Sequence, residues 1–481
     1  MKKSILILSL FCLTISSFSQ KVKNSKNSIK QKIDNYIKET VETNEIPGLA
    51  IAVIKNGKKI YEKNYGKSSI EENTIVDEKS IFRLYSTTKL ITAVAVFQLI
   101  EKEKLSLEDN ISKYLNNLPK EWQEIKVKNL ITHSSGLPDI VKFEDIPYSL
   151  DENEKWKRLY QKPFEFKIGS HYSYNQTNYA LLSKIIEKIT GLSFDEYVIK
   201  NQFATTKNGV VFSANSSEFI ENRVVGHNYN FKTKKYERFI SDHGKIHNSG
   251  SGLNISLKEF INWNTRLDEN ILINSKTKTA MWSLFEFENK QDKFLHGWGI
   301  YETNKIKSFG FSGGYLTSFR KFINNDLTII FLSNGFKNYH IEEQVINHIA
   351  GIVDEKLIDN FLLAEEEIIP AFFKNNIVKA EQIYNKIKIQ NPKLNFENRL
   401  LTIGYDLIRT ENLKDAIKVF ELNAKENPQS ANAFDCLAES YYLNGQLELS
   451  KQNYQKSIDF YSENTNAKDM IDKIEQMLKK K

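Results

Sequence analysis

Ser86 and Lys89 stand three residues apart in Ser86-Thr87-Thr88-Lys89, directly ahead of an apolar run, LITAVAVFQLI (residues 90–100). On a helix, positions i and i+3 share a face, so a lysine amine can reach the serine oxygen. Apolar surroundings disfavour an ammonium and leave a neutral amine able to take the serine proton. The start of a helix also aims backbone N–H groups and the positive dipole end at a developing oxyanion. The same S-x-x-K spacing recurs at Ser275 (SKTK) and Ser318 (SFRK). Ser275 lies in a polar segment with no long apolar helix behind it, and Ser318 lies in a strand pattern, where i and i+3 point to opposite faces. Context therefore singles out Ser86 as a candidate nucleophile with Lys89 as its base.

Placing that pair requires a framework. Residues 90–100 are apolar nearly all round, which predicts a helix buried on most of its surface. Ahead of it, residues 29–43 read as an amphipathic helix, and GLAIAVIKNGKKIYEKNYG (residues 48–66) reads as two strands joined at Asn56-Gly57, a pair suited to the positive backbone angles of a tight hairpin. Residues 105–250 turn helical and loop-like. Strand character returns in residues 316–323 and 327–335. Strands at both ends of a helical middle predict an α+β domain, with one antiparallel sheet built from both chain ends and helices packed on it.

From about residue 360 the chain becomes helix-like and repeats itself. Leu400, Ile403, Gly404, Leu407, Ala416 and Phe420 recur 34 residues later as Phe434, Leu437, Ala438, Tyr441, Ser450 and Tyr454, with Pro428 where a second helix should stop. Ala380, Tyr384 and Pro392 mark an earlier, degenerate unit. The pattern resembles the tetratricopeptide repeat, a helix-turn-helix whose small residues let neighbouring helices approach. Such repeats bury their faces only by stacking, so this tail is expected to dock on the catalytic domain or on a protein partner.

At 481 residues and 40% apolar content the chain exceeds one ordinary core. The expected division is a signal peptide at 1–19, a hydrolase domain at 20–355 and a helical-repeat domain at 356–481. MKKSILILSLFCLTISSFSQ carries two lysines and an apolar run too short to span a bilayer, the pattern of a cleavable export signal. The mature protein is thus expected to be periplasmic or secreted, with no further membrane span. Without that segment Cys436 stands alone, which excludes a disulfide scaffold, and its apolar surroundings in FDCLAESYY argue for packing over nucleophilic work. The formal charge of +7 is spread over interspersed acids and bases, a solvated surface and no nucleic-acid footprint. No H-E-x-x-H or G-x-S-x-G motif supports a zinc hydrolase or an α/β-hydrolase, and the expected chemistry needs no metal or cofactor.

The run from Ile46-Pro47-Gly48 through FRLYSTTKLITAVAVFQLIEKEKLSLEDNISKYL, followed in order by VKNLITHSSGLPD, SYNQTNYALLSKIIEKITG, GSGLNISLKEF and HGWGIY, resembles the β-lactamase-related serine hydrolases. That family includes class C β-lactamases, penicillin-binding proteins, D-alanyl-D-alanine carboxypeptidases and related esterases. The likeness covers about residues 30–350 and implies a β-lactamase-like antiparallel sheet with a helical subdomain. It further implies that Tyr174-Asn175-Gln176 stands for the family's Y-x-N motif, with Tyr174 shuttling protons and Gln176 replacing the substrate-binding amide. Phe311-Ser312-Gly313-Gly314 stands for the strand motif that begins with lysine or histidine. Phe311, Ser312 and Gly313 would then line the substrate, and the N–H groups of Ser86 and Gly314 would form the oxyanion hole. His133, in THSSGLPD, matches a loop beside the site and is expected to be structural.

Loss of the basic residue at Phe311 weakens attraction for a substrate carboxylate. Hydrolysis of small esters or amides through a Ser86 acyl-enzyme is therefore the leading expectation. A D-alanyl peptidase or β-lactamase, and a non-catalytic binding protein that uses the repeats, remain alternatives.

Overall fold

The computed structural model describes residues 29–203, 209–337 and 339–479; the export signal read at 1–19 lies outside them. The chain divides into two compact units. One runs to Tyr229 and resumes from Tyr236 to Ile358; the other is Asp359–Lys481 with Asn230–Lys235.

In chain order the strands of the described residues are β1 (Gly48–Lys55), β2 (Lys58–Ser69), β3 (Thr74–Ile75), β4 (Ile81–Arg83), β5 (Val210–Phe212), β6 (His227–Asn230), β7 (Lys235–Arg238), β8 (Leu253–Ser256), β9 (Gly299–Thr303), β10 (Ile306–Gly313), β11 (Thr317–Phe322) and β12 (Leu327–Ser333). The hairpin between β1 and β2 turns where the sequence predicts, with Asn56 at φ 50° and Gly57 at φ 65°. Seven strands form one antiparallel sheet in the order β3-β2-β1-β12-β11-β10-β9. β1 pairs with β12 from Leu49↔Ser333 to Lys55↔Leu327, so the first and last strands of the unit are neighbours, as expected of a sheet built from both chain ends. A smaller sheet, β4-β8-β5, ties the approach to Ser86 to distant parts of the chain.

Every residue of β11 is buried, because both faces of the sheet are covered. On one face Phe319 packs among Phe260, Trp263 and Trp298, and Lys321 Nζ donates to Asn264 Oδ1 at 2.8 Å and Asp268 Oδ2 at 2.9 Å. On the other, Arg320 Nη2 reaches both oxygens of Glu343 at 2.6 Å, from the helix Glu342–Val353. The apolar run becomes the helix Thr88–Glu101, buried from Thr88 through Leu99. It forms the centre of the core, and burying a leucine, valine or phenylalanine there contributes roughly 1.5–3 kcal/mol apiece.

The second unit contains seven helices among the described residues, from Asn360–Lys374 to Thr465–Leu478. Leu400, Ile403, Gly404 and Leu407 lie buried on Glu397–Arg409, and Ala416 and Phe420 on Leu413–Glu426. The positions 34 residues on are buried in the same way on Ala431–Leu443 and Leu447–Phe460. Gly404 is small for a reason: a Cβ there would meet the Phe420 ring at 2.4 Å.

Candidate active site

Ser86 sits in a 3-10 turn, Tyr85–Thr87, that feeds directly into the helix Thr88–Glu101. Two threonines clamp this turn to the sheet. Thr87 Oγ1 lies 3.1 Å from Thr317 Oγ1 and donates to the Phe311 carbonyl at 3.3 Å, while Thr317 Oγ1 donates to the Leu84 carbonyl at 2.8 Å. The strand comes so close that a Cβ on Gly313 would lie 2.2 Å from Leu84 O and 2.8 Å from Ser86 N. Gly314, at φ +57°, rests on the Tyr85 ring. Glycine at both positions lets β10 present its backbone to the nucleophile turn without a side chain between them.

Tyr174 Oη donates to Ser86 Oγ at 2.6 Å. Tyr174 immediately precedes the N-cap of the helix Gln176–Thr190, where Asn175 Oδ1 accepts from Asn178 N at 3.2 Å and Asn175 Nδ2 donates to Leu137 O at 2.6 Å. The cap locks the backbone beside Tyr174 to the loop that contains His133. Asn175 N donates to His133 Nδ1 at 3.1 Å, so the ring's own proton belongs on Nε2. Burial, reinforced by the charge of Lys89, holds His133 well below its usual range. It is therefore a neutral wedge, with its ring 4.7 Å from that of Tyr174 and its Nδ1 turned to Asn175 N and Asn178 Nδ2.

Lys89 is completely buried. The sequence predicts its amine on the serine oxygen; in the structure Nζ donates instead to Gln176 Oε1 at 3.0 Å and Gly250 O at 2.9 Å. A buried amine without a carboxylate partner takes the strongest neutral acceptors within reach, and these two carbonyls supply them. Nζ also lies 4.7 Å from the centroid of the Tyr174 ring and 4.9 Å from that of Tyr179, contacts worth roughly 0.5–2 kcal/mol each for a cation. Gln176 N donates in turn to Asp139 Oδ1 at 3.0 Å, and burial raises the Asp139 pKa.

The structure thus brings Ser86, Lys89, Tyr174, Gln176, Gly313 and Gly314 to one place. Phe311 joins them, with its ring 6.2 Å from those of Tyr174 and Phe294. Ser312 does not point with them. Strand alternation turns its hydroxyl to the other side of β10, where it bonds Ser318 Oγ at 2.9 Å and Glu343. Sequence reasoning missed the roles of Gly250, Thr87, Thr317 and Tyr179. Gly250 lies inside the GSGLNISLKEF stretch, but only the closed fold decides which carbonyl meets Lys89.

A seven-stranded antiparallel sheet flanked by helices, with a serine under a tyrosine hydroxyl and a buried lysine beside both, defines a class: serine hydrolases of the β-lactamase fold. The family profile described as Beta-lactamase matches residues 33–351, and the chain belongs to that family. Among relatives, "Protein flp" of Staphylococcus aureus (strain N315) is 27% identical over 178 residues, covering 36% of each chain. "Teichoic acid D-alanine hydrolase" of Staphylococcus aureus is 29% identical over 177 residues, 37% of this chain and 42% of that one. The matched stretch spans well under half the length of these relatives. The fold is shared with the octameric penicillin-binding protein homologue from Pyrococcus abyssi, at TM-score 0.56 and 22% identity, over 70% of this chain and 81% of the other.

Proposed function

We propose that the protein hydrolyses small acyl esters and amides, D-alanyl esters among them, through an acyl-enzyme on Ser86. The observation that carries this reading is the 2.6 Å contact between Tyr174 Oη and Ser86 Oγ, with Lys89 beside the tyrosine ring. Ser86 Oγ attacks the acyl carbonyl and gives its proton to the Tyr174 oxygen as Tyr174 passes its own hydroxyl proton to Lys89, the base, which returns it through Tyr174 when the leaving group is protonated. The carbonyl oxygen takes the negative charge between the N–H groups of Ser86 and Gly314. As the tetrahedral centre collapses, the alcohol or amine leaves with the proton from Tyr174. Water then repeats the sequence on the acyl-serine, Tyr174 again accepting the proton, and frees the acid. Gln176 orients Lys89 and offers its amide N–H to the substrate.

Phe311 supports a substrate without a carboxylate at that end. The position carries an aromatic ring where the family resemblance implies a cation, and Arg320 lies on the other face of the sheet, bound to Glu343. An esterified D-alanyl group suits this site: it offers a carbonyl and an ammonium, and the ammonium can face an aromatic wall. The relative named as a teichoic acid D-alanine hydrolase points the same way. Export and a partner-binding role for the helical repeats belong to the same reading; amino-terminal sequencing of the mature protein tests the first.

Intact-mass measurement of the protein and of Ser86→Ala after exposure to a fluorophosphonate, p-nitrophenyl acetate, a D-alanyl ester and penicillin tests the chemistry. The expected result is an adduct and ester turnover confined to the wild type, with penicillin opened poorly and better in Phe311→Lys. Equal labelling of Ser86→Ala, or no labelling of folded wild type by any reagent, overturns the assignment.

A further inference from the structure

The two N–H groups that would receive the substrate oxygen, on Ser86 and Gly314, donate to no group of the protein among the described residues. Neither is therefore held in place by a hydrogen bond of its own. One residue meets both of them, Tyr85.

The Ser86 N–H belongs to the peptide between Tyr85 and Ser86, so its direction follows the backbone angles of Tyr85. That backbone stands at φ +47°, in the left-handed region that a bulky side chain seldom adopts. Glycine would take this angle freely, yet the chain carries a tyrosine. Strain of this kind persists only where the surrounding contacts enforce it.

The ring of Tyr85 supplies such a contact, and it falls on the second donor. A Cβ on Gly314 would lie 2.9 Å from Tyr85 Cγ and 3.1 and 3.2 Å from its Cδ atoms, so the Gly314 backbone rests on the ring with no room between them. The register of β10 on β11 ends at Gly313↔Thr317, one residue short of Gly314. Past that point the ladder no longer fixes the strand, and the ring takes over. The ring is itself held: the Arg83 guanidinium lies over it, 4.8 Å from the centroid, with Nε and Nη1 anchored to Ser251 O at 3.1 Å and Ser241 O at 2.9 Å. At its far end Tyr85 Oη reaches Gly226, where an added Cβ would lie 3.4 Å from the oxygen.

We propose that Tyr85 is the positioning residue of the oxyanion hole: its backbone aims the Ser86 N–H, and its ring props Gly314 so that the second N–H stays at a set distance from the first. The proposal rests on the acyl-enzyme reading and deepens it. Tyr85 acts through these two main-chain groups and not on the substrate.

Two variants of the full chain separate ring from backbone. Tyr85→Gly takes φ +47° freely but has no ring; Tyr85→Phe keeps the ring and loses only the hydroxyl. The readouts are the rate of Ser86 modification by a fluorophosphonate, and kcat and KM for p-nitrophenyl acetate and for its thionoester, in which sulfur replaces the carbonyl oxygen. Sulfur is larger and a weaker acceptor, so a well-placed pair of N–H groups favours the oxygen ester. Tyr85→Gly is expected to slow Ser86 modification and kcat by about 10²-fold with KM little changed, and to lower the preference for ester over thionoester by about tenfold. Tyr85→Phe should restore both. Each preference is a ratio measured on one preparation, so any unfolded fraction cancels from it. Wild-type rates and preference in Tyr85→Gly, or losses in Tyr85→Phe equal to those in Tyr85→Gly, overturn the proposal, and labelling of wild-type Ser86 then leaves the hydrolase reading intact. A folded wild type that no reagent labels overturns both.

Discussion

Gly313 and Gly404 are both places where a side chain has no room, one in each unit, and they differ in what stands in the way. A Cβ on Gly313 would meet the backbone carbonyl of Leu84 at 2.2 Å; on Gly404 it would meet the ring of Phe420 at 2.4 Å. Backbone held by a sheet and two threonine clamps cannot step aside, whereas a ring between two helices can turn or shift with its helix. The catalytic unit is rigid where β10 meets Ser86. The helical unit adapts, because its layers are joined by side-chain packing. A second contrast concerns buried carboxylates. Glu365 in the helical unit is bound by Arg399 at 2.7 and 2.9 Å, while Glu342 in the catalytic unit keeps a buried Oε2 with no partner.

The sharpest way to break the comparison acts on the rigid site. Tyr174→Phe removes one oxygen and leaves the packing of the ring, so kcat should fall by roughly 10²–10⁴-fold with little change in melting temperature; steady-state kinetics and a thermal melt check it. If activity survives, the 2.6 Å contact is not catalytic. Gly313→Ala comes next. Overpacking of this kind costs about 1–3 kcal/mol, and here it should lower the rate of Ser86 acylation as well as the melting temperature. Gly404→Ala should lower the melting temperature by a few degrees at about 2–4 °C per kcal/mol, with the rate of Ser86 labelling unchanged. A loss of labelling there would show that the two units are energetically coupled.

The smallest effect concerns pH. Burial, then the charge of Glu343, pushes the Glu342 pKa up to about 8 from an ordinary 4.5. The folded protein therefore holds this proton more tightly than the unfolded chain. Its contribution to stability is complete below about pH 4.5, falls as the pH rises and is lost once the pH passes about 8. Glu342→Gln keeps a neutral side chain of the same shape, so its melting temperature should exceed the wild type's at alkaline pH and vary less with pH.

Local features were legible wherever neighbours in the chain carry the signal. Asn56-Gly57 marks the hairpin, the apolar run after Lys89 marks the buried helix, and the 34-residue recurrence marks the helical positions that become buried. Ser86 and Lys89 were legible for the same reason, as a spacing set beside an unusual helix. The partnership between Tyr174 and Ser86 was reached only through family resemblance, because 88 residues separate them. The acceptors of Lys89 were not legible at all: Gly250 is 161 residues away and reaches the amine only when the smaller sheet closes. Ser312 shows the limit from the other side. Its type and order match the motif, yet strand alternation sends its hydroxyl to Glu343.

By itself, then, the sequence determined the opening hairpin, the buried helix after Lys89, the closing strands and the helical repeats, and where a nucleophile could stand. Those properties depend on residue type and on spacings of a few positions. The strands β5, β6 and β7, by contrast, lie within residues 105–250, read as helical and loop-like. Tertiary structure alone decided which groups Lys89 and Tyr174 touch, which face Ser312 takes, and that the Tyr85 ring meets Gly314. Each is a contact between distant segments, formed only when burial of the common core brings them together and leaves their polar groups to find whatever partners remain.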